Sequence, residues 1–260
     1  IIFYIEHAFP VEWKDAIFEA VNQWQEPFER IGFSNAIMAK PYPTDDPEFD
    51  PDNLQYSCIR YVPTTVENAM GPSWTDPRSG EIINSSVFVY HDVVKLINNW
   101  RFIQTAQTDA SVRSGKLPKE VFEDAMRYVI THEVGHCLGL MHNMSSSATI
   151  PVDSLRSPSF TQKYGTTHSI MDYARFNYVA QPGDMEKGVK LTPPRFGLYD
   201  YFTIHYSYAP LFDVKTYEEE KEIVFGWIKE AIADPVYRYG HQQMRSIIDP
   251  SAQNEDLGDN

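Results

Sequence analysis

Two periods of apolar residues run along the chain and lay out its elements. Ile1-Ile2-Phe3-Tyr4-Ile5 is a short apolar run of strand type. Past Pro10 the period lengthens. Trp13, Ile17, Val21, Trp24, Phe28 and Ile31 fall at helical spacing, which predicts a helix near 11–31. Pro27 lies inside that span and should kink or break it, and Gly32 should stop it. Ala36–Ala39 reads as a second short strand and Tyr56–Val62 as a buried one. Residues 67–74 and 81–90 read as two strands around the turn Thr75-Asp76-Pro77-Arg78-Ser79-Gly80. Helices are predicted over 92–108 and from Pro118 onward, where Phe122, Met126, Val129 and Ile130 mark the apolar face. A short helix is expected at 197–206 and a long one at 214–233. In the latter, Ile223, Val224, Trp227, Ile228 and Ala231 share a face, Glu218–Glu222 forms solvated first turns, and Pro235 is the stop.

The second half of the helix after Pro118 carries the chemistry. Residues 132–142 are His-Glu-Val-Gly-His-Cys-Leu-Gly-Leu-Met-His. His132 and His136 stand four residues apart, so a helix sets both imidazoles on one face, one turn apart, within reach of one metal ion. Glu133 then lies beside the metal without ligating it. Gly139 can take the left-handed conformation that ends a helix, and the turn brings His142 back as a third ligand. Three neutral imidazoles leave the fourth position of a tetrahedral Zn2+ open, which is the pattern of a catalytic and not a structural site. In such a site the metal lowers the pKa of bound water toward about 7. Glu133 is the natural base for that water and later the proton donor to the leaving amine.

This longer histidine pattern resembles the signature of the metzincins, and Ser169-Ile170-Met171-Asp172-Tyr173 resembles their Met-turn. The resemblance implies that Met171 forms a floor under the three imidazoles. In the astacin and serralysin branches a Tyr two residues past the Met reaches the metal or the tetrahedral intermediate. Tyr173 is therefore a candidate oxyanion stabiliser, with a packed structural Tyr as the alternative. His168 reads as structural. The residue after the third His is Asn143, not the Glu, Asp, Ser or Pro of the better-known branches. The wider sequence is similar to a family of bacterial metzincin-like zinc-dependent proteases from surface or periplasmic proteins. Phe3–Gly32, Ser57–Val62, Gly71–Ile82, the zinc motif, Ser169–Asp184 and Gly197–Tyr208 carry that similarity.

The resemblance implies an α+β, metzincin-type catalytic domain. A twisted mixed sheet with the active-site helix would form an upper subdomain, about 1–139, over a mostly helical lower one, about 140–260. It also implies that the strand before the hairpin turn binds an extended substrate by strand addition. By position this strand holds Ala69, Met70, Gly71 and Ser73, with an edge strand blunted by Pro72 as the plainer alternative. Phe176 and Tyr178, past the Met-turn, are candidates for the wall of the pocket beside the scissile bond. The implied activity is that of an extracytoplasmic endopeptidase (periplasmic, cell-surface or secreted) with one Zn2+ and a protein or peptide substrate.

Composition narrows the picture further. With 260 residues and a net charge of −14, the chain lacks the basic patches that nucleic-acid binders need. It has no apolar run of the length a transmembrane helix requires. Cys58 and Cys137 do not make a disulfide framework and read as free buried thiols. The acidic loop 41–53 holds five carboxylates of the kind Ca2+ takes, yet it lacks EF-hand spacing and reads as a solvated loop. An N-terminus without Met and the acidic stretch Asn254–Asn260 suggest a piece of a longer protein. Two other activities fit the same residues: a metzincin-fold module that binds peptides or glycans and cleaves little, and zinc hydrolysis of a non-peptide amide. The intact Glu133 argues against the first, since a module freed from catalysis has no chemical need for that base.

Overall fold

The computed structural model of the chain describes residues 1–240, and the acidic stretch Asn254–Asn260 lies outside them. The chain divides into two units, Ile1–Gln25 with Asn35–Met141, and Glu26–Ser34 with His142–Asn260.

The first unit opens with strand β1 (Ile2–Ile5) and helix α1 (Val11–Asn22), and helix α2 (Gln25–Arg30) then leads the chain into the second unit. The first unit resumes with β2 (Met38–Pro41), β3 (Ser57–Val62), β4 (Ala69–Met70), β5 (Ser73–Thr75), β6 (Ile82–Ser85) and β7 (Val87–Tyr90). Helices α3 (Val93–Thr105) and α4 (Lys119–Cys137) complete it. Five strands form one sheet in the order β2-β1-β3-β7-β4. The first four run parallel, with Phe3 opposite Ala39 and Ile59 opposite Val87, and β4 closes the edge antiparallel, with Ala69 opposite Val89. Alternate residues Phe3 and Ile5, and Val87 and Val89, are buried, so one face of the sheet carries the apolar side chains. Helix α1 buries Trp13, Ile17, Ala20 and Val21 and packs along α4. This is a mixed α/β architecture with a mostly parallel sheet, in keeping with the expected α+β class.

The single helix expected at 11–31 is two helices. Pro27 has no N–H for the Gln23 carbonyl, and its ring would clash with that carbonyl, so the helix ends at Asn22. Pro27 then sits in the first turn of α2, where a helix tolerates it. The break frees Trp24 to turn fully inward, where its Nε1–H donates to the Thr131 carbonyl at 3.2 Å. Gln23 adds a side-chain hydrogen bond to Thr131 Oγ1. The end of α1 is thus fixed to α4 at the residue before His132.

The two strands expected at 67–74 and 81–90 are four. Each is interrupted, at Gly71-Pro72 and at Ser86, so that β4 pairs with β7 while β5 and β6 form their own hairpin, bulged at Trp74/Thr75. The second strand of the chain begins at Met38, two residues later than expected. Cys58 and Cys137 are both buried free thiols.

The second unit holds most of α2, helices α5 (Pro158–Tyr164), α6 (Leu198–Tyr208) and α7 (Tyr217–Ala231), and long connecting segments, and α2 meets α6. Phe28 meets Tyr208 with ring centroids 5.1 Å apart, and Arg30 lies over the Tyr201 ring at 3.5 Å. Helix α7 buries none of its residues fully. The face expected to pack is covered only in part, and Trp227 there meets the His205 ring at a tilt with centroids 4.3 Å apart.

Candidate metal centre

Helix α4 delivers His132 and His136 from its last two turns. Their rings meet edge to face with centroids 4.8 Å apart. The helix then ends in a Schellman turn. Gly139 N–H donates to the His136 carbonyl at 2.9 Å, and Leu140 N–H donates back to Gly135 at 3.0 Å. Gly139 holds φ +83°, a value an L side chain resists, so glycine is needed here for its backbone. Three residues on, the chain reaches His142. One nitrogen from each of His132, His136 and His142 lies within 4.8 Å of the other two, so among the described residues these three form a group that could hold a metal ion. Zn–N bonds of about 2.1 Å with tetrahedral angles place nitrogen donors roughly 3.4 Å apart, so small side-chain rotations bring the set onto one ion.

The donor chemistry fits zinc. His136 Nδ1 is 2.8 Å from the Leu140 carbonyl, so this nitrogen carries the proton and Nε2 is left for the metal. Burial pushes the His136 pKa down despite that hydrogen bond, which favours the neutral, ligating form. His132 is buried at the inner side of the helix.

Glu133 is held from the strand side. Burial raises its carboxyl to about 8, opposed by a hydrogen bond from the Gly71 backbone N–H. Gly71 also packs directly on the helix, since a Cβ there would stand 2.2 Å from the Glu133 carbonyl oxygen. Gly71 was expected to line the substrate strand. Its N–H donates to Glu133 and its bare Cα faces the α4 backbone. Of the other strand candidates, Ala69 is buried in the edge strand, while Met70 and Ser73 are exposed.

The Met-turn is built inside the second unit. Asp200, the third residue of α6, reaches back to it. Its Oδ1 accepts from Ser169 Oγ at 2.8 Å, and its Oδ2 accepts from Ile170 N–H at 2.8 Å and from Gly197 N–H at 2.7 Å. Asp172 in turn accepts from Ser147 N–H at 2.6 Å and Thr167 Oγ1 at 3.1 Å. Burial raises both carboxyls to about 7. Met171 is buried, and its carbonyl accepts from Asn143 N–H, the residue after His142, at 3.2 Å. The Tyr173 ring packs edge-on against His142 with centroids 4.5 Å apart, under the Arg175 guanidinium at 5.4 Å. Arg175 holds a left-handed φ of +52°, a strained state for a side-chain-bearing residue. Of the pocket-wall candidates, Tyr178 is exposed and Phe176 is sealed in the core at 1% exposure, which leaves Phe176 almost no surface for a ligand. His168 is buried beside Tyr164 and lies outside the histidine cluster.

Sequence spacing singles out the three clustered histidines, Glu133 and Met171 because they lie in short motifs. It missed Gly71 as a prop for Glu133 and Asp200 as the anchor of the Met-turn. The one local hint was Asp200 itself, three residues past Gly197, where a carboxylate can close the start of a helix.

A mixed sheet backed by a helix that carries His-Glu-x-x-His, with a third His beyond a glycine turn and a separate Met-turn, is the framework of a zinc metalloprotease family. Residues 114–260, more than half of the chain, match the family model described as Met-zincin, and the chain belongs to that family. No curated protein and no solved structure matches the chain.

Proposed function

We propose that the chain is a zinc-dependent endopeptidase. The observation that carries this reading is the gathering of His132, His136 and His142 into one cluster, with Glu133, the residue after His132, buried and hydrogen-bonded by Gly71. Bound zinc would polarise the scissile carbonyl and acidify the attacking water. The chain's own residues do the rest. Glu133 takes the proton of the attacking water and passes it to the leaving amine, a role for which a partly desolvated carboxyl of raised pKa is suited. Its Gly71 hydrogen bond keeps the carboxylate from turning away. Tyr173, packed against His142, is the side chain proposed to steady the developing oxyanion.

The exposed residues Met70, Ser73 and Tyr178 are the proposed contacts for an extended peptide. We extend the proposal to an extracytoplasmic location, supported by the sequence resemblance alone. No helix among the described residues is long and apolar enough to cross a membrane.

The test is cleavage of a diverse peptide library by the zinc-loaded chain, with Glu133→Ala as control. Cuts that vanish in the control are the expected result. A zinc-loaded wild type that cuts nothing would move the assignment to a binding module.

A further inference from the structure

Asn143 directly follows the third histidine and is fully buried. Its side-chain amide is used from both ends. Nδ2 donates to the Arg238 carbonyl at 2.9 Å, and Oδ1 accepts from Gly240 N–H at 2.9 Å. A carbonyl and an N–H two residues apart are what an extended strand offers a neighbouring strand. The Asn143 amide therefore pairs with 238–240 as a single peptide unit would. Two further residues close the junction. Met144 N–H donates to the Gly240 carbonyl at 2.7 Å, and Ser145 Oγ lies within hydrogen-bond distance of Asn143 Oδ1 at 3.0 Å and of the Arg238 carbonyl at 3.2 Å.

The fit admits few substitutes. Asp lacks the Nδ2 donor, Gln is a methylene too long, and Ser or Thr cannot donate and accept in this parallel fashion. On the other side Gly240 comes so close that a Cβ would stand 2.7 Å from Ser145 Cβ and 3.1 Å from Ser145 N. Asn143 N–H meanwhile donates to Met171 in the Met-turn. One residue thus ties the loop carrying His142 to the Met-turn and to a strap nearly a hundred positions further along the chain.

We propose that Asn143 is a positioning residue, and that seating of the strap Arg238–Gly240 on it fixes His142 and so sets how tightly the protein retains zinc. The inference rests on the zinc-site reading above. It also gives a physical role to the residue at which this chain departs from the better-known metzincin branches. Removing outer groups that orient metal ligands typically costs about 10–100-fold in metal affinity, and the strap reaches His142 through the backbone of the residue that follows it.

The test is zinc affinity, measured on the full chain by competition with a chromophoric chelator and followed by the rate of zinc loss, for wild type, Gly240→Ala and Gly240→Ala/Ser145→Gly. Gly240→Ala blocks the seat from outside the ligand set. Ser145→Gly removes the Cβ and Oγ that the new methyl would strike. The expected result is zinc binding about 10–100-fold weaker in Gly240→Ala, as for other outer groups, with part of that loss recovered in the double variant. Circular dichroism guards against a general loss of fold. Wild-type zinc affinity and release rate in a folded Gly240→Ala would overturn the proposal, and so would a loss that the double variant does not relieve at all. A wild type that binds no zinc would instead sink the metal-site reading beneath it.

Discussion

Replacing Gly71 by Ala is a severe test of how Glu133 is held. The added Cβ would stand 2.2 Å from the Glu133 carbonyl oxygen, 3.0 Å from its carbonyl carbon and 3.3 Å from its Cα. Carbon–oxygen contacts between packed backbones settle at about 3.3–3.6 Å, so strand and helix must part by roughly 1 Å. The helix side is fixed by the α4 hydrogen-bond ladder, and by Trp24 and Gln23 holding Thr131. The shift therefore falls on residues 70–72 and carries the Gly71 N–H off the Glu133 carboxylate. Overpacking of this kind costs about 1–3 kcal/mol, which lowers Tm by roughly 2–4 °C per kcal/mol in a domain of this size. A misplacement of about 1 Å at a catalytic group costs on the order of 100-fold in rate. The assay is kcat and KM on a peptide taken from the library, with zinc affinity measured alongside. The expected outcome is a fall in kcat of about that size with zinc affinity near wild type, because none of the three ligands is touched. Wild-type kcat together with an unchanged Tm would refute the close approach and the role drawn from it.

Asp200→Ala strips the acceptor from two buried N–H groups and one hydroxyl at the Met-turn. At about 1–3 kcal/mol for each donor left unsatisfied, a loss of several kcal/mol is expected in chemical denaturation, and a loss below 1 kcal/mol would show that the Met-turn does not depend on it. Gly139→Ala forces a β-carbon into φ +83° and should cost about 1–2 kcal/mol and weaken zinc binding. Gly139→Asn should cost less, since Asn tolerates that region, and equal losses would point away from backbone conformation. The zinc-free protein should lose stability as pH rises. The Glu133 carboxyl is raised from 4.5 to about 8, so between those values the unfolded chain is ionised while the folded one still binds the proton. The slope from this group is at most about 1.4 kcal/mol per pH unit, reduced by its partial exposure, and it ends above pH 8. Urea titrations at several pH values, compared with Glu133→Gln, isolate it; parallel curves for the two proteins would contradict it.

Where chemistry and periodicity are local, the sequence is legible. The helix bearing His132 and His136 follows from Phe122, Met126, Val129 and Ile130, and its end follows from Gly139. The break after Asn22 follows from Pro27 as well, because a proline removes the partner of the carbonyl four residues before it. The remainder depends on partners far apart in the chain. Gly71 meets Glu133, Asp200 meets Ile170 and Asn143 meets Gly240, and no spacing rule reaches across such separations. At Gly71-Pro72 the sequence shows only the blunting proline, while the approach of Gly71 to α4 comes from a residue more than sixty positions away. Helix α7 misled in the opposite direction. Its apolar periodicity is real, yet periodicity reports what a face is suited to bury and not whether a neighbour covers it.

The three histidines span only the eleven positions from His132 to His142, whereas Gly240, which locks the junction behind them, is made 98 residues after His142. Closing so short a loop around a metal costs little chain entropy compared with bringing the distant strap home. At roughly 5–20 residues per second of synthesis, the ligands emerge on the order of 5–20 s before the strap exists. If zinc binds as proposed, its three donors are complete in the growing chain well before the segment proposed to fix His142, so the tightness of zinc retention is set only once residues 238–240 have been made.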